Sequence, residues 1–104
     1  MTSPRTGLVS LRIDLPGGRI GPGKIALLEA IAREGSISAA GRALGMSYRR
    51  AWDLVAALNQ LAGAPVVTTS PGGSGGGGAV LTEIGRGLVA DYRAIEQEAG
   101  RAAE

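Results

Sequence analysis

The densest chemistry in the chain lies in one short block, Ser47-Tyr48-Arg49-Arg50, within the stretch GSISAAGRALGMSYRRAWD at residues 35–53. An arginine at the exposed start of a helix can donate two parallel hydrogen bonds to guanine O6 and N7, or it can grip a phosphate. Arg49 and Arg50 both suit these roles, and the sequence does not divide the roles between them. Tyr48 has two readings: it stacks on a sugar or donates to a phosphate, or it is a surface tyrosine packed on its own helix. Ser36 or Ser38 can cap another helix start, where a short hydroxyl accepts from an unpaired backbone N–H, and both, with the N–H groups there, suit phosphate contacts. Catalysis has no comparable support. The chain holds no Cys and no His, which excludes zinc fingers, thiol nucleophiles, disulfides and imidazole bases. Asp14, Asp53 and Asp91 fall on separate predicted elements. No enzyme activity and no metal site is expected.

These side chains need a scaffold, and the spacing around them predicts a helix-turn-helix over residues 36–62. Ala40 and Gly41 are small enough for another helix to cross closely. Leu44 and Met46 are expected to point inward around Gly45, where a positive φ meets no Cβ. Ser47 then caps the second helix. Its Ala51, Leu54, Val55, Leu58 and Leu61 recur three and four apart, a core stripe, with Arg49, Arg50 and Asp53 opposite. Trp52 is expected to pack between the helix-turn-helix and its neighbours. In such a motif the first turn of the second helix enters the DNA major groove.

The flanking segments complete an α+β reading. Val9, Leu11, Ile13 and Leu15 alternate with polar residues as a half-buried strand, ended by Pro16-Gly17-Gly18. A helix comes next over residues 22–33, with Pro22 at its start and Ile25, Leu28, Ile31 and Ala32 on one face. The β-branched run at residues 66–69 reads as a strand, 70–78 (SPGGSGGGG) as a loop, and 79–81 as a short return strand. Thr82 caps a last helix over 82–99 that carries Ile84, Leu88, Tyr92, Ile95 and Ala99 on one stripe. Helix pair, hairpin, helix is the order of a winged helix-turn-helix, mainly α with a small β-sheet, and the wing spans residues 66–81. Ser74, Gly75 and Gly76 at its tip would bring backbone N–H groups close to a phosphate. The glycine run also resembles a flexible linker, but the strands on either side are too short to fold alone. The segment GRIGPGKI at 18–25 approaches a phosphate-binding loop, yet Ile25 stands where Ser or Thr would hold magnesium. A glycine-rich entry into a helix is the better account, with Lys24 free to meet a DNA phosphate.

At 104 residues the chain is one domain, divided as a leader at 1–7, the winged domain at 8–99 and a tail at 100–104. Hydrophobic residues make up 44 %, and with no Phe the core must be largely aliphatic. The net charge of +2 is unevenly spread. Residues 19–50 carry six cations against Glu29 and Glu34, whereas residues 83–104 have five acids against three arginines. The basic excess coincides with the helix-turn-helix, as phosphate attraction requires; a solvated, arginine-rich face is the plainer alternative. No apolar run reaches membrane-spanning length and no signal pattern opens the chain, so a cytoplasmic protein is expected. The last helix is longer than the core needs, and Leu88, Tyr92, Ile95 and Ala99 are expected to pair two copies as a homodimer.

Three segments together, GPGKIALLEAI, GSISAAGRALGMSYRRAWDLVAALN and GGSGGGGAVLTEIGRGLV, resemble the DNA-binding domain of ModE-type regulators, the molybdate-responsive transcription factors of bacteria. The wider resemblance, through Gly35-Ser36, Ala40-Gly41, Leu44 and Leu81-Thr82, is to the winged domain of LysR-type regulators. It implies a sequence-specific transcriptional regulator whose partners are double-stranded DNA and a second copy of itself. No cofactor is expected, because the molybdate-binding region of that family has no counterpart in this sequence. The alternatives are a winged protein-interaction module and a domain that binds DNA without reading it.

Overall fold

Proline, glycine and short hydroxyl side chains set the helix ends in the computed structural model, which describes residues 9–73 and 76–103. Helix α1 (Pro22–Glu34) has proline in its first turn and stops at Gly35, whose φ of 78° only glycine adopts readily. Helix α2 (Ile37–Ala43) is capped by Ser36, which accepts from the Ala39 N–H at 3.0 Å. Helix α3 (Tyr48–Ala62) starts at Ser47, whose hydroxyl accepts from the Arg50 N–H at 3.0 Å, and ends at Gly63. Helix α4 (Glu83–Ala102) starts at Thr82, which accepts from the Gly85 N–H at 3.1 Å. The expected cap positions and helix starts agree with this arrangement.

Two antiparallel hairpins complete the fold. Strands β1 (Ile13–Leu15) and β2 (Gly18–Ile20) pair ahead of α1, with Ile13 opposite Ile20. Strands β3 (Val67–Gly73) and β4 (Gly76–Leu81) form the wing between α3 and α4, with Val67 opposite Leu81 and Thr69 opposite Ala79. Both differ in extent from the sequence reading. The strand expected from residue 9 pairs only over three residues, and Gly18 belongs to its partner rather than to the turn. The wing strands run into the glycine tract, where the sequence pattern suggests only a loop. Glycine shows no alternating pattern, yet it suits this ladder: a Cβ on Gly77 would collide with the Ser70 carbonyl. The leader at 1–7 and the tip residues Ser74 and Gly75 lie outside the described residues.

The core is centred on α1, whose Ile25, Leu27, Leu28, Ala30 and Ile31 are all fully buried. Burial on more than one face comes from its neighbours, since α2, α3, α4 and β4 all pack against it. Ala32, expected on the buried face, is exposed. Tyr92 brings the larger correction. Far from lining a dimer face, it is 2 % exposed, and its hydroxyl donates to the Leu11 carbonyl at 2.6 Å. Burial pushes the phenol above its usual range. Leu88 is half-buried against the core and Ala99 is half-buried, while Ile84 and Ile95 remain 46 % exposed. Beside Tyr92, the Arg93 guanidinium bridges Glu29 of α1 at 2.7 Å and Glu96 of its own helix at 2.7 Å.

Two glycines of α4 differ sharply in their surroundings. A Cβ on Gly85 would collide with the Val66 carbonyl, whereas one on Gly87 meets nothing within 4 Å. Gly85→Ala should therefore destabilise by about 1–3 kcal/mol. Gly87→Ala should stabilise by roughly 0.5–1 kcal/mol through helix propensity, both read by chemical denaturation. The hydrogen bond from Arg93 holds the Glu29 carboxyl below its ordinary 4.5. Its stabilising contribution is thus complete above that value and lost as pH falls through the lower folded value. Glu29→Gln should flatten the acid limb of a stability–pH curve.

Candidate nucleic-acid interface

The turn between α2 and α3 determines what the second helix displays. Gly45 takes a φ of 71°, and the Met46 N–H returns to the Gly41 carbonyl at 2.9 Å. A Cβ on Gly41 would stand 3.4 Å from that of Ala51, so glycine lets α3 cross at close range. Met46 is half-buried against the core, but Leu44 is 37 % exposed, which corrects the inward placement expected for it. Leu44 occupies the C-cap position of α2, at the turn itself.

At roughly 100° per residue, α3 divides cleanly around its axis. Ala51, Val55 and Leu58 are buried, with Leu54 and Leu61 half-buried beside them, as the stripe predicted. Arg49 and Asp53 face away from that stripe, Arg50 lies on one flank, and Tyr48 and Trp52 lie on the other. Tyr48, Arg49 and Arg50 are all exposed, as is the capping Ser47. Trp52 overturns its expected packing role. It is 38 % exposed and meets Tyr48 edge to face, with ring centroids 6.2 Å apart and planes at 76°. Its position four residues after Tyr48, off the buried stripe, was the signal available in the sequence.

The wing stands across from this aromatic flank. Its strand β4 is tied to the α1–α2 corner by the Ala79 N–H, which donates to the Gly35 carbonyl at 2.8 Å. Between wing and helix lies an open groove of about 440 Å³. Ile37, Ser38, Tyr48 and Trp52 line one side, and Thr69, Ser70 and residues 77–79 line the other. Ser38 accepts from Arg42 Nη1 at 3.0 Å, and the Ser36 hydroxyl is occupied by its cap. Gly76 opens β4 opposite Gly73. The structure thus brings Ser38 and Tyr48 to one groove with the wing, alongside Trp52, Thr69 and Ser70, which the sequence reading does not assign to the site.

Among the described residues Arg19, Arg33, Arg93 and Arg101 pair with carboxylates. Arg12, Arg42, Arg49, Arg50 and Arg86 form no ion pair there; Arg12 bonds Ser10 and Arg86 the Leu81 carbonyl, while Arg42, Arg49 and Arg50 lie on the helix-turn-helix. Lys24 is engaged elsewhere, its Nζ donating to the Arg19 carbonyl at 2.6 Å. That bond closes the Gly18–Ile25 segment as a link from hairpin to helix. Among the described residues no group of three His, Cys, Asp or Glu could hold a metal ion. No described helix is long and apolar enough to cross a membrane.

A helix-turn-helix, a hairpin tied beside its second helix and a closing helix define the winged helix-turn-helix class. Residues 23–86 match the family described as bacterial regulatory helix-turn-helix protein, lysR family, and the chain belongs to that family. It is 57 % identical over 84 residues to the molybdenum-pterin-binding protein MopB of Rhodobacter capsulatus, covering 81 % of this chain and 31 % of that protein. It is 45 % identical over 76 residues to the DNA-binding transcriptional dual regulator ModE of Escherichia coli K12, covering 73 % of this chain and 29 % of that protein. The chain therefore spans about a third of the length of these curated relatives. Among solved structures, the complex of the CbnR DNA-binding domain with DNA superposes with a TM-score of 0.62 at 26 % identity, covering 77 % of this chain and 86 % of that one. The ModE-type and LysR-type resemblances read from the sequence agree with these matches.

The Ser47 cap should be separable from any contact that its hydroxyl makes. Ser47→Ala should cost about 1 kcal/mol of stability in thermal or denaturant unfolding. Ser47→Asp should keep the cap and most of that stability.

Proposed function

We propose that this chain is the DNA-binding domain of a bacterial transcriptional regulator, with the first turn of α3 in the major groove and the wing on the neighbouring backbone. The observation that carries this reading is the pair of exposed guanidinium groups at the start of α3, Arg49 and Arg50, neither of which has a carboxylate partner among the described residues. Unpaired cations on one face attract phosphate and release its counterions, and an arginine at that helix start reaches guanine edges. Arg49, directly opposite the buried stripe, is assigned to bases; Arg50, on the flank, is assigned to phosphate. The names of two matches support the same reading: a DNA-binding transcriptional dual regulator, and a DNA-binding domain solved with DNA.

Two copies would bind together, paired along α4. Ile84 and Ile95 are the exposed large apolar residues of that helix, with Leu88 and Ala99 beside them. Two-fold pairing would present two α3 helices to a palindromic site. Such a regulator acts on DNA in the cytoplasm and needs no cofactor for the DNA contact. The molybdenum-related names belong to proteins roughly two and a half times as long as this chain, and the groove described above is not assigned to molybdate.

Selection from a random duplex pool at two salt concentrations tests the proposal. An enriched palindrome with half-sites about one helical turn apart is expected. The Arg49→Ala, Arg50→Ala double variant should lose enrichment while keeping its circular dichroism spectrum and unfolding midpoint. Retention without enrichment would overturn sequence-specific reading, and no retention at low salt would overturn DNA binding altogether.

A further inference from the structure

Resting on that DNA-binding reading, we infer that Trp52 reads a thymine: its exposed ring, held by Tyr48, takes the C5-methyl group in the major groove. The chain has only three aromatic residues and no phenylalanine. Tyr92 is buried in the core, but Tyr48 and Trp52 stand 60 % and 38 % exposed on one flank of α3. The only tryptophan, the largest apolar side chain in the sequence, thus leaves more than a third of its surface uncovered.

The placement suits a base contact. Trp52 lies on the second turn of α3, one turn beyond Tyr48 and within the part of a recognition helix that reaches base edges. The edge-to-face contact with Tyr48 fixes the indole without covering it. Ile37 lies in the same groove, so the surface beside the ring is partly apolar. Each base presents its own chemistry in the major groove, and the thymine methyl is the one apolar group among them.

The surrounding charge selects this occupant over an apolar protein surface or a lipid. Arg49, next to the aromatic flank, and Arg42, bonded to Ser38 of the groove, carry no carboxylate partner among the described residues, so whatever meets the aromatic pair also meets cations. A duplex supplies phosphates on the outside and a methyl group on the groove floor. The arrangement therefore divides the reading: Arg49 takes guanine, and Trp52 takes thymine.

The test replaces each thymine of a selected half-site in turn with deoxyuridine, which removes the methyl group alone. Affinity is tracked by fluorescence anisotropy at fixed salt. For the unaltered protein, binding should weaken about fourfold at one position per half-site, the worth of one buried methyl. Trp52→Ala should lose that sensitivity while keeping its salt dependence and its response to guanine changes. Trp52 is the single tryptophan, so its own emission gives a second readout that needs no variant. Acrylamide quenching should fall when the methylated duplex binds. Insensitivity at every thymine, equal sensitivity in Trp52→Ala, or unchanged quenching in the complex would overturn the assignment and leave DNA binding standing. Failure of the unaltered protein to bind any selected duplex would overturn both.

Discussion

The backbone at Val66 is held from two directions, and the relative placement of α3, the wing and α4 depends on that clamp. Its N–H donates to Asn59 Oδ1 of α3 at 2.8 Å. Its carbonyl accepts from the Thr82 N–H at 3.0 Å, and the Thr82 hydroxyl donates to the Pro65 carbonyl at 2.8 Å. The Val66 side chain is fully buried, and Gly85 of α4 leaves room for its carbonyl because it has no Cβ. A buried peptide group left without partners costs about 1–3 kcal/mol, so this segment has few alternatives. One short connection therefore sets where the recognition helix ends, where the wing begins and where the last helix starts.

A second anchor, between the Ala79 N–H and the Gly35 carbonyl, joins the wing to the α1–α2 corner. The two anchors place the wing strands relative to the end of α3 and to the α1–α2 corner, and so set the groove between them. Along that groove Tyr48 and Trp52 meet edge to face and Ser38 is bonded to Arg42, while Arg49 and Arg50 stand exposed on other sides of α3. A frame that presents a held aromatic pair beside free cations suits a surface that must fit a duplex of fixed diameter. The binding reading and the dimer reading lie on different elements: one on α3 and the wing, the other on the outer side of α4.

Local features were legible because their causes are local. Ser47 and Thr82 announce caps by residue type and by the helical run after each, and each makes the expected hydrogen bond; of Ser36 and Ser38, either of which suits the start of α2, Ser36 makes it. The stripe of Ala51, Val55 and Leu58 comes from helical period alone. The errors share a different cause, which is that burial of a large residue depends on distant partners. Tyr92 resembles an exposed stripe residue in the sequence because its acceptor, the Leu11 carbonyl, lies 81 positions away. Trp52 resembles core because tryptophan usually is, and Leu44 resembles an inward residue because the turn angle is invisible in sequence. Glycine hides the wing strands for the opposite reason: it carries no side chain from which a period could be read. The site was accordingly half legible: Ser38 and Tyr48 were readable from helix starts, whereas the exposure of Trp52 and the wing wall of Thr69 and Ser70 depend on the tertiary arrangement.

The central claim is that the start of α3 and the wing form one DNA-contacting face. Amide chemical-shift mapping on isotope-labelled protein during titration with a selected duplex addresses it most directly. The account predicts that perturbations concentrate on residues 47–53 and on wing residues 69–72 and 77–79, and fade as salt rises. Perturbations centred on the exposed side of α4, or none on the wing, would contradict it.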